Sequence, residues 1–208
     1  IKECFIADKT LTGLIDAYEN AEKSDIKLRF GYRLNICQDM DDKTIESQNT
    51  TSKIIIFASK TAFTSLINIH NIAATKGIYN DIPRIDYKTL KENWDETLVM
   101  VIPFYDSYIH YNLLFGKQCV PDLEFANPFF AYESNDLPFD FIIQKALEKN
   151  IASSSLLKSK TIYYNKRSDF DAYMTYRCIL NRTTFQKPEL QHFGSKEFCM
   201  EAWLEQNI

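Results

Sequence analysis

The side chains that most often carry out chemistry are few and scattered in this sequence. The three histidines, His70, His110 and His192, lie far apart, and only His110 has a carboxylate, that of Asp106, close to it in sequence. Such a pair would suit acid–base catalysis, but proximity in sequence does not set geometry. His70 stands among apolar residues of a predicted helix, so a packing role is favoured for it, and His192 is expected near the surface. We therefore predict no catalytic residue.

Motifs that bind nucleotides or activate a serine are absent from the sequence. The five glycines form neither GxGxxG nor GxxxxGK, and GxSxG does not occur. The run Asp39-Met40-Asp41-Asp42 offers carboxylates, yet it lacks the glycine and the closing glutamate of an EF-hand, so an exposed acidic loop is favoured. The five cysteines form no CxxC pair, which favours buried free thiols. No cofactor is predicted.

Two groups of residues suggest binding rather than catalysis. Tyr163 and Tyr164 have basic residues on both sides, which would suit a contact with phosphate, although a strand with solvated flanks is favoured. These cations are Lys158, Lys160, Lys166 and Arg167. The formal net charge of -4 opposes strong binding, so weak or no direct nucleic-acid binding is expected. The second group is an aromatic run beside prolines, for which burial is favoured and a protein-binding surface is the alternative. It comprises Phe125, Phe129, Phe130, Tyr132, Phe139 and Phe141.

Strand-like and helix-like patterns alternate along the chain. Apolar runs such as Ile54–Ala58 and Leu98–Phe104 are typical of buried strands, whereas Thr61–Thr75 repeats apolar residues at helical spacing. Gly31 interrupts the strand predicted for Ile26–Ile36, which indicates a bend or bulge. The alternation favours a parallel α/β architecture, either a barrel or an open wound sheet. The other predictions are strands at 2–7 and Thr161–Tyr164, a loop at Gln38–Ser52, and helices at Leu14–Lys23, Tyr87–Asn93, Asp106–Leu114, Asp140–Lys149, Ser168–Leu180 and within Glu189–Trp203.

Length and composition suit one folded domain. The 208 residues fall within the usual range for a single domain, and a hydrophobic fraction of 45% supplies a core and excludes a disordered chain. No apolar stretch approaches the roughly 20 residues that span a bilayer, and no signal-peptide pattern is present at the start. We expect a single domain over residues 1–208, located in the cytoplasm.

Several short motifs follow one another in a characteristic order. Ala7-Asp8-Lys9 precedes a Thr-Leu-Thr-Gly turn and a helix, Gly31-Tyr32-Arg33 follows, Lys53–Ser59 opens the next strand, and Pro83-Arg84-Ile85-Asp86 precedes a short helix. Later segments are Ile162–Asn165 with the helix that follows it, and Phe193–Trp203. In order and spacing, over nearly the whole chain, they resemble the polymerase-and-histidinol-phosphatase (PHP) domain at the start of the bacterial DNA polymerase III alpha subunit.

The resemblance implies a metal site whose positions carry unsuitable side chains in this sequence. Family members hold two or three metal ions with histidines, aspartates and glutamates. The family's Thr-Asp-His falls on Ala7-Asp8-Lys9, its glutamate falls on Arg33, and the histidine that opens the next strand falls on Lys53. A cation repels the metal and has no lone pair to donate. We therefore expect a vestigial site at Asp8, Lys9, Arg33 and Lys53 that binds no metal and in which the cations pair with Asp8.

The resemblance also implies a fold and a role. We expect a distorted (β/α)7-like barrel of the PHP type; whether it lacks the family's first strand and helix, which carry a His-x-His motif, stays open. The expected role is a non-catalytic scaffold or partner-binding domain in bacterial or phage DNA replication, with the polymerase body or the proofreading exonuclease as partner. Two alternatives remain: an active metal-dependent phosphoesterase or 3′–5′ exonuclease, and a PHP-derived binding module unrelated to replication.

Overall fold

Seven strands and eight α-helices make up the part of the chain that a computed structural model describes, namely residues 2–10, 12–59, 61–116, 120–182, 184 and 194–207. The strands are β1 (Glu3–Asp8), β2 (Lys27–Cys37), β3 (Ser52–Ala58), β4 (Arg84–Asp86), β5 (Val99–Ile102), β6 (Phe129–Tyr132) and β7 (Leu156–Lys158). The helices are α1 (Leu14–Lys23), α2 (Ile45–Asn49), α3 (Phe63–Thr75), α4 (Tyr87–Glu92), α5 (Tyr108–Leu114), α6 (Asp140–Asn150), α7 (Phe170–Asn181) and α8 (Met200–Asn207). The chain divides into two units, Ile1–Phe130 and Ala131–Ile208.

The first unit is built on a mixed sheet with the strand order β1-β2-β3-β5-β6. β1 is parallel to β2 and β6 is parallel to β5, whereas β3 runs antiparallel to both β2 and β5. The short strand β4 is parallel to the last residues of β2. The prediction of an α/β fold is thus confirmed, but the expectation of a parallel sheet is wrong at β3.

The buried Arg84 binds the loop that leads from β2 to β3. Its side chain is fully buried, and its guanidinium donates to the carbonyl oxygen of Asp42 at 3.0 Å and to Ser47 Oγ at 3.2 Å. These bonds hold the loop after β2, together with α2, at the carboxyl end of β2. β3 then pairs with β2 as an antiparallel neighbour, which needs no crossover connection. The segment predicted as a loop, Gln38–Ser52, contains α2, whose N-cap Thr44 accepts a hydrogen bond from the Ser47 N–H.

The two faces of this sheet differ in chemistry because successive side chains alternate between them. One face packs against helices and is apolar: Ile36, Ile54 and Ile56 are fully buried on it. Tyr32 lies on that face and contacts His70 of α3 edge-to-face at 4.9 Å between ring centroids. The opposite face carries charged side chains among apolar ones, and it is the face that holds the candidate site.

Gly31 does not mark a bulge, contrary to the prediction. The pairing of β2 with β3 runs without interruption from Phe30↔Ala58 to Ile36↔Ser52. A Cβ atom at Gly31 would lie 2.5 Å from the ring of Phe57, its partner across the sheet. The glycine is needed because the Phe57 ring lies directly over the backbone of β2.

The second unit packs α7 and α8 around an aromatic cluster. Tyr163 stacks on Tyr173 at 5.2 Å and on Phe198 at 5.5 Å between ring centroids. The predicted strand Thr161–Tyr164 is wrong, since this segment forms only one bridge, Tyr164↔Cys199, and the strand is β7 instead. The side chain of Tyr163 packs in this aromatic cluster, and its backbone N–H donates to the carbonyl oxygen of Phe198.

Helix ends in the second unit differ from the predicted ones. α7 begins at Phe170, after a 3₁₀ turn over Arg167–Asp169, rather than at Ser168. The final helix begins at Met200; residues 185–193, which include the start of its predicted segment, lie outside the described residues. Of the cysteines, Cys37, Cys178 and Cys199 are buried and Cys4 is half-buried, while Cys119 is outside the described part. None of the described helices is long and apolar enough to cross a membrane.

Candidate functional site

Asp106 is held in a tight turn that follows strand β5. Its backbone has a positive φ of 63°, which non-glycine residues adopt rarely and aspartate more readily than most. Two hydrogen bonds fix this conformation: the Asp106 N–H donates to His110 Nδ1 at 3.1 Å, and the Asp106 carbonyl accepts from the Lys53 N–H at 3.3 Å. The turn therefore places the carboxylate beside the first residues of β3.

The Asp106 carboxylate has a partner at each oxygen. Lys53 Nζ lies 2.9 Å from Oδ2, and the hydroxyl of Tyr111 donates to Oδ1 at 3.0 Å. The side chains of Lys53 and Asp106 are 28% and 16% exposed, so the pair is largely shielded but reachable from solvent on the lysine side. We call Asp106, Lys53, Tyr111 and Arg33 the Asp106 cluster.

Arg33 joins this cluster through its charge. The register pairs Arg33 with Ile55 and Asn35 with Lys53, so the side chains of Arg33 and Lys53 project from the same face as diagonal neighbours. Arg33 makes a favourable electrostatic interaction with Asp106. Its Nε atom is buried and has no hydrogen-bond partner among the described residues.

The surroundings keep Asp106 ionised and Tyr111 protonated. Burial alone would raise the pKa of Asp106, but the charge and hydrogen bond of Lys53, with the charge of Arg33, outweigh it and lower the pKa below its usual value. Burial, together with the neighbouring Asp106 charge, raises the pKa of Tyr111. The cluster is thus a carboxylate held between two cations and a hydroxyl donor, with an excess of one positive charge.

The expected partner of the cations, Asp8, lies elsewhere. Asp8 is aligned with Tyr32 in the sheet, which places it on the face opposite Arg33. Its carboxylate accepts from the Lys9 N–H at 2.6 Å and from Thr10 Oγ1 at 3.4 Å. The prediction that Lys53 pairs with Asp8 is therefore wrong, because the alternation of the strand separates them and Lys53 pairs with Asp106.

The other chemistry-bearing candidates have structural surroundings. His110 is buried and accepts a hydrogen bond from the backbone of Asp106, not from its carboxylate, so the imagined acid–base pair does not form through this contact. The packing role predicted for His70 agrees with its contact with Tyr32. His192 lies outside the described residues. Asp39 and Asp42 are exposed and accept hydrogen bonds from backbone N–H groups two residues on, as in an ordinary acidic loop.

The match of the chain to a family model covers most of the region just described. Residues 1–132 match the PHP domain. The chain belongs to the PHP family. The matched region ends with strand β6, next to the end of the first unit. No curated protein shows a significant match to the chain.

The PHP family implies a metal cluster, and the described donors do not fit one. Within the described ranges, no three His, Cys, Asp or Glu side chains lie close enough together to hold a metal ion. The carboxylate of the Asp106 cluster already has the ammonium of Lys53 at 2.9 Å. A metal ion there would have to displace that cation and would face the charge of Arg33 as well.

The PHP motif Pro83-Arg84-Ile85-Asp86 has a structural role in this chain. Arg84 binds the loop after β2, as described above, and its guanidinium also lies 5.2 Å from the ring centroid of Tyr79. Asp86 caps helix α4 by accepting from the Thr89 N–H at 2.7 Å. Both charged residues of this segment therefore help to build the fold.

The basic residues predicted to contact nucleic acid lie in the second unit and differ in their surroundings. Arg167 makes paired hydrogen bonds to Glu197, at 2.8 and 3.0 Å, and to Glu205, at 2.7 Å. Two carboxylates thus offset its charge. Lys160 Nζ donates to the Ser134 carbonyl, and burial lowers its pKa. Lys158 and Lys166 are exposed, and their contact with phosphate stays a prediction.

A buried acid of the second unit was missed by sequence reasoning. Glu133 is 5% exposed and accepts from Asn135 Nδ2 at 2.8 Å, from the Thr161 N–H at 2.7 Å and from Thr161 Oγ1 at 2.8 Å. Burial raises the pKa of this carboxyl, although these donors counteract it. In the sequence, the position of Glu133 directly after the apolar run of β6 could have indicated that this acid is buried.

The aromatic run is partly buried. Phe130 is in the core, and Phe125 packs edge-to-face on Trp94 at 5.7 Å between ring centroids. Phe129 and Phe141 are 39% and 60% exposed, and Lys145 Nζ lies 4.2 Å from the centroid of the Phe141 ring. The prediction of burial holds for Phe130, while the exposed members leave the alternative of a protein-binding surface open.

Proposed function

We propose that this chain is a non-catalytic PHP domain that serves as a scaffold or a partner-binding part of a DNA-replication polymerase related to the DNA polymerase III alpha subunit. The observation that carries the proposal is the Asp106 cluster. Arg33 and Lys53 occupy two positions that align with metal ligands of the family. The carboxylate of Asp106 pairs with Lys53 and offsets its charge. Such a site stabilises the sheet rather than binding a metal ion.

The pattern of retained and altered residues supports a scaffold. Arg84 and Asp86 of the family motif are buried and hold a loop and a helix in place. At the positions aligned with metal ligands, by contrast, Lys9, Arg33 and Lys53 carry cations. Loss of ligands beside intact structural motifs is what we expect when a domain keeps its architecture and gives up hydrolysis.

The proposed partners are the polymerase body or the proofreading exonuclease, as the resemblance to the alpha subunit implies. Direct nucleic-acid binding is proposed to be weak or absent. The net charge of -4 supports this, since phosphate binding is driven by a basic excess. The carboxylates around Arg167 support it as well, because they compete with phosphate for the guanidinium.

Hydrolysis and metal content test the catalytic part of the proposal. The protein is purified without chelator, its metals are measured by mass spectrometry, and bis(p-nitrophenyl) phosphate is offered with manganese. We expect no stoichiometric metal and no hydrolysis above the protein-free rate. Stoichiometric zinc or manganese, or hydrolysis that Asp8→Asn abolishes, would instead establish the active phosphoesterase.

Direct binding tests the replication role. The chain is mixed with two purified proteins from the same genome: an alpha subunit lacking its own PHP region, and the proofreading exonuclease. Size-exclusion chromatography should show a stoichiometric complex with at least one of them. Binding to neither would contradict the replication role and favour a PHP-derived module with another purpose. A fluorescent single-stranded oligonucleotide should show no saturable binding at physiological salt.

A further inference from the structure

Strand β1 lies at an open edge of the sheet in the first unit. Among the described residues it pairs with β2 alone, and the pairing is parallel. The carbonyl oxygen of Lys2 accepts from the Lys27 N–H at 3.0 Å, so every second residue from Lys2 onwards directs its backbone groups at β2. The backbone groups of Glu3, Phe5 and Ala7 therefore point away from the sheet, where another strand can pair with them.

The side chains of β1 leave this edge unprotected. The strand contains no proline, its pairing with β2 is continuous, and its charged residues stand at its two ends, Glu3 and Asp8. Phe5 is 58% exposed and Ile6 is 40% exposed, so an apolar side chain stands on each face of the sheet beside the open edge. The Phe5 ring contacts Phe57 edge-to-face at 5.3 Å between ring centroids, which fixes its position there.

The residues of β1 complement one another when a second copy of the strand lies antiparallel beside the first, with Phe5 opposite Phe5. Glu3 then lies opposite Ala7 of the second copy, and these outward-facing pairs can exchange both backbone hydrogen bonds. Lys2 lies opposite Asp8 of the second copy, and both side chains are exposed. Opposite charges directly across an antiparallel pair attract each other. The sequence of this strand is therefore complementary to itself.

Charge favours this register over its neighbours. A shift by two residues is the smallest that keeps the backbone hydrogen bonds. It sets either Lys2 opposite Ile6 or Asp8 opposite Cys4, and in both cases the two opposite charges are separated. Glu3 does not compete for a cation of the second copy, because it already forms an ion pair within its own chain.

We propose that the chain forms a symmetric dimer in which β1 pairs antiparallel with β1 of a second copy, centred on Phe5. The two sheets join into one continuous sheet, and each copy uses the same surface, as in most homodimers. The contact covers Phe5 on one face and Ile6 on the other. A contact of this size is small, so the dimer is weak and depends on concentration. No residue of the Asp106 cluster takes part, so the dimer forms whether or not the domain binds a polymerase.

Sedimentation velocity at protein concentrations up to about 1 mM tests the dimer, since weak specific contacts are populated in that range. The wild type should change from monomer to dimer as its concentration rises. Ala7→Pro removes an outward-facing N–H and none of the bonds to β2, so it should keep its circular dichroism spectrum and remain a monomer. Ala7→Ser retains the N–H and should dimerise as the wild type does.

Exchange of two charges tests the register. Within one chain, Lys2 and Asp8 are about 20 Å apart along the strand, so they influence each other only through a second copy. Lys2→Glu and Asp8→Lys should each raise the Kd of the dimer about 5-fold, because each dimer contains the pair twice. The double variant restores the opposite charges, and its Kd should return to within about 2-fold of the wild-type value.

A disulfide gives an independent check of the register. Cys4 lies opposite Ile6 of the second copy, in a pair without mutual backbone hydrogen bonds. The Cα atoms of such a pair are about 4.5 Å apart, a distance that a disulfide can span. Ile6→Cys, oxidised with diamide, should therefore give a covalent dimer on a non-reducing gel. The same change combined with Cys4→Ser should give none.

The outcomes distinguish the dimer from other associations. A wild type that stays monomeric up to about 1 mM would overturn the proposal. A dimer that Ala7→Pro leaves unchanged would overturn it as well, because that dimer would use another surface. If the double charge variant did not recover, or Ile6→Cys did not cross-link, the self-complementary register would be wrong. Metal content and hydrolysis do not depend on the dimer, so these results leave the proposed function as it stands.

Discussion

The ion pair between Lys53 and Asp106 offers the sharpest test of the site, by a double-mutant cycle. The variants are Lys53→Met, which keeps the length of the side chain, Asp106→Asn, which keeps its shape, and the two combined. Lys53→Met leaves a carboxylate that is 16% exposed without its nearest cation. We expect it to be the more harmful single change.

The magnitude follows from the exposure of the pair. Removing one partner of a fully buried pair costs about 3–5 kcal/mol, and an exposed pair is worth about 0–1 kcal/mol. With 28% and 16% of the two side chains exposed, this pair lies between these limits. Arg33 and Tyr111 still interact with Asp106 in the variant. We therefore expect Lys53→Met to lower the free energy of unfolding by about 2 kcal/mol, with a coupling of about 1 kcal/mol.

The pH dependence gives a second readout of the same pair. The folded-state pKa of Asp106 lies below the ordinary value of 3.8, so its stabilising effect is present above pH 3.8 and is lost as the pH falls through the folded pKa. In Lys53→Met this pKa rises, and acid then protonates the unpaired carboxylate. The difference in unfolding free energy between the wild type and Lys53→Met should shrink as the pH falls through the pKa of Asp106 in the variant, and it should vanish below the lower folded-state pKa of the wild type.

Urea unfolding at several pH values, followed by circular dichroism, measures these quantities. Additive effects of the two single variants at pH 7 would refute the pairing of Lys53 with Asp106. A cost of Lys53→Met that stays constant with pH would show that the lysine stabilises by packing and not by charge.

Three further changes test other parts of the fold. Gly77→Ala should lower the free energy of unfolding by about 3 kcal/mol or more, because the new Cβ would lie 1.7 Å from a backbone oxygen; Gly194→Ala, with open space around it, should change stability little by the same urea assay. In the wild type, the raised pKa of Glu133 makes its stabilising effect greatest at low pH, so we expect the free energy of unfolding to decline above pH 4.5. Glu133→Gln should flatten this decline, as measured by the free energy of unfolding at several pH values. Arg167→Met should lower the thermal midpoint, less so in high salt, while Lys166→Met, at an exposed neighbour, should not.

Individual helices could be predicted where a single sequence pattern was enough to define them. Leu14–Lys23 was predicted as a helix and is α1 with the same bounds, because its apolar residues recur at helical spacing and Gly13 ends the preceding turn. Tyr87–Asn93 was predicted likewise, and it matches α4 since Asp86 supplies the cap. The family could be predicted as well, from the order of short motifs that individually carry little information.

The direction of β3 could not be predicted from the hydrophobic pattern. An apolar run such as Ile54–Ala58 has the same hydrophobic pattern whether the strand is parallel or antiparallel to its neighbours. The direction follows from the path of the preceding loop, and that loop is bound from inside the core by Arg84, a residue far away in sequence. Similarly, Gly31 was interpreted as a bend or bulge, whereas the strand pairing is continuous there and the glycine leaves space for the Phe57 ring.

Asp106 was missed as the partner of Lys53 because nothing local marks it. It lies 53 residues after Lys53, in a turn with a positive φ that no pattern fixes. Asp8 was chosen instead because the family motif includes it. The alternation of side chains along β1 and β2 excludes that choice, but applying it requires the register Asp8↔Tyr32, which the sequence alone does not supply.

A cation in a largely buried position is costly unless an acid offsets its charge. At this site two cations, Arg33 and Lys53, share one acid within reach, Asp106, and Lys53 makes the direct bond. Arg33 is left with an attraction at a distance and with a buried Nε–H that no described residue accepts. The Asp106 cluster therefore carries an excess of positive charge, and this excess disfavours a divalent metal ion there.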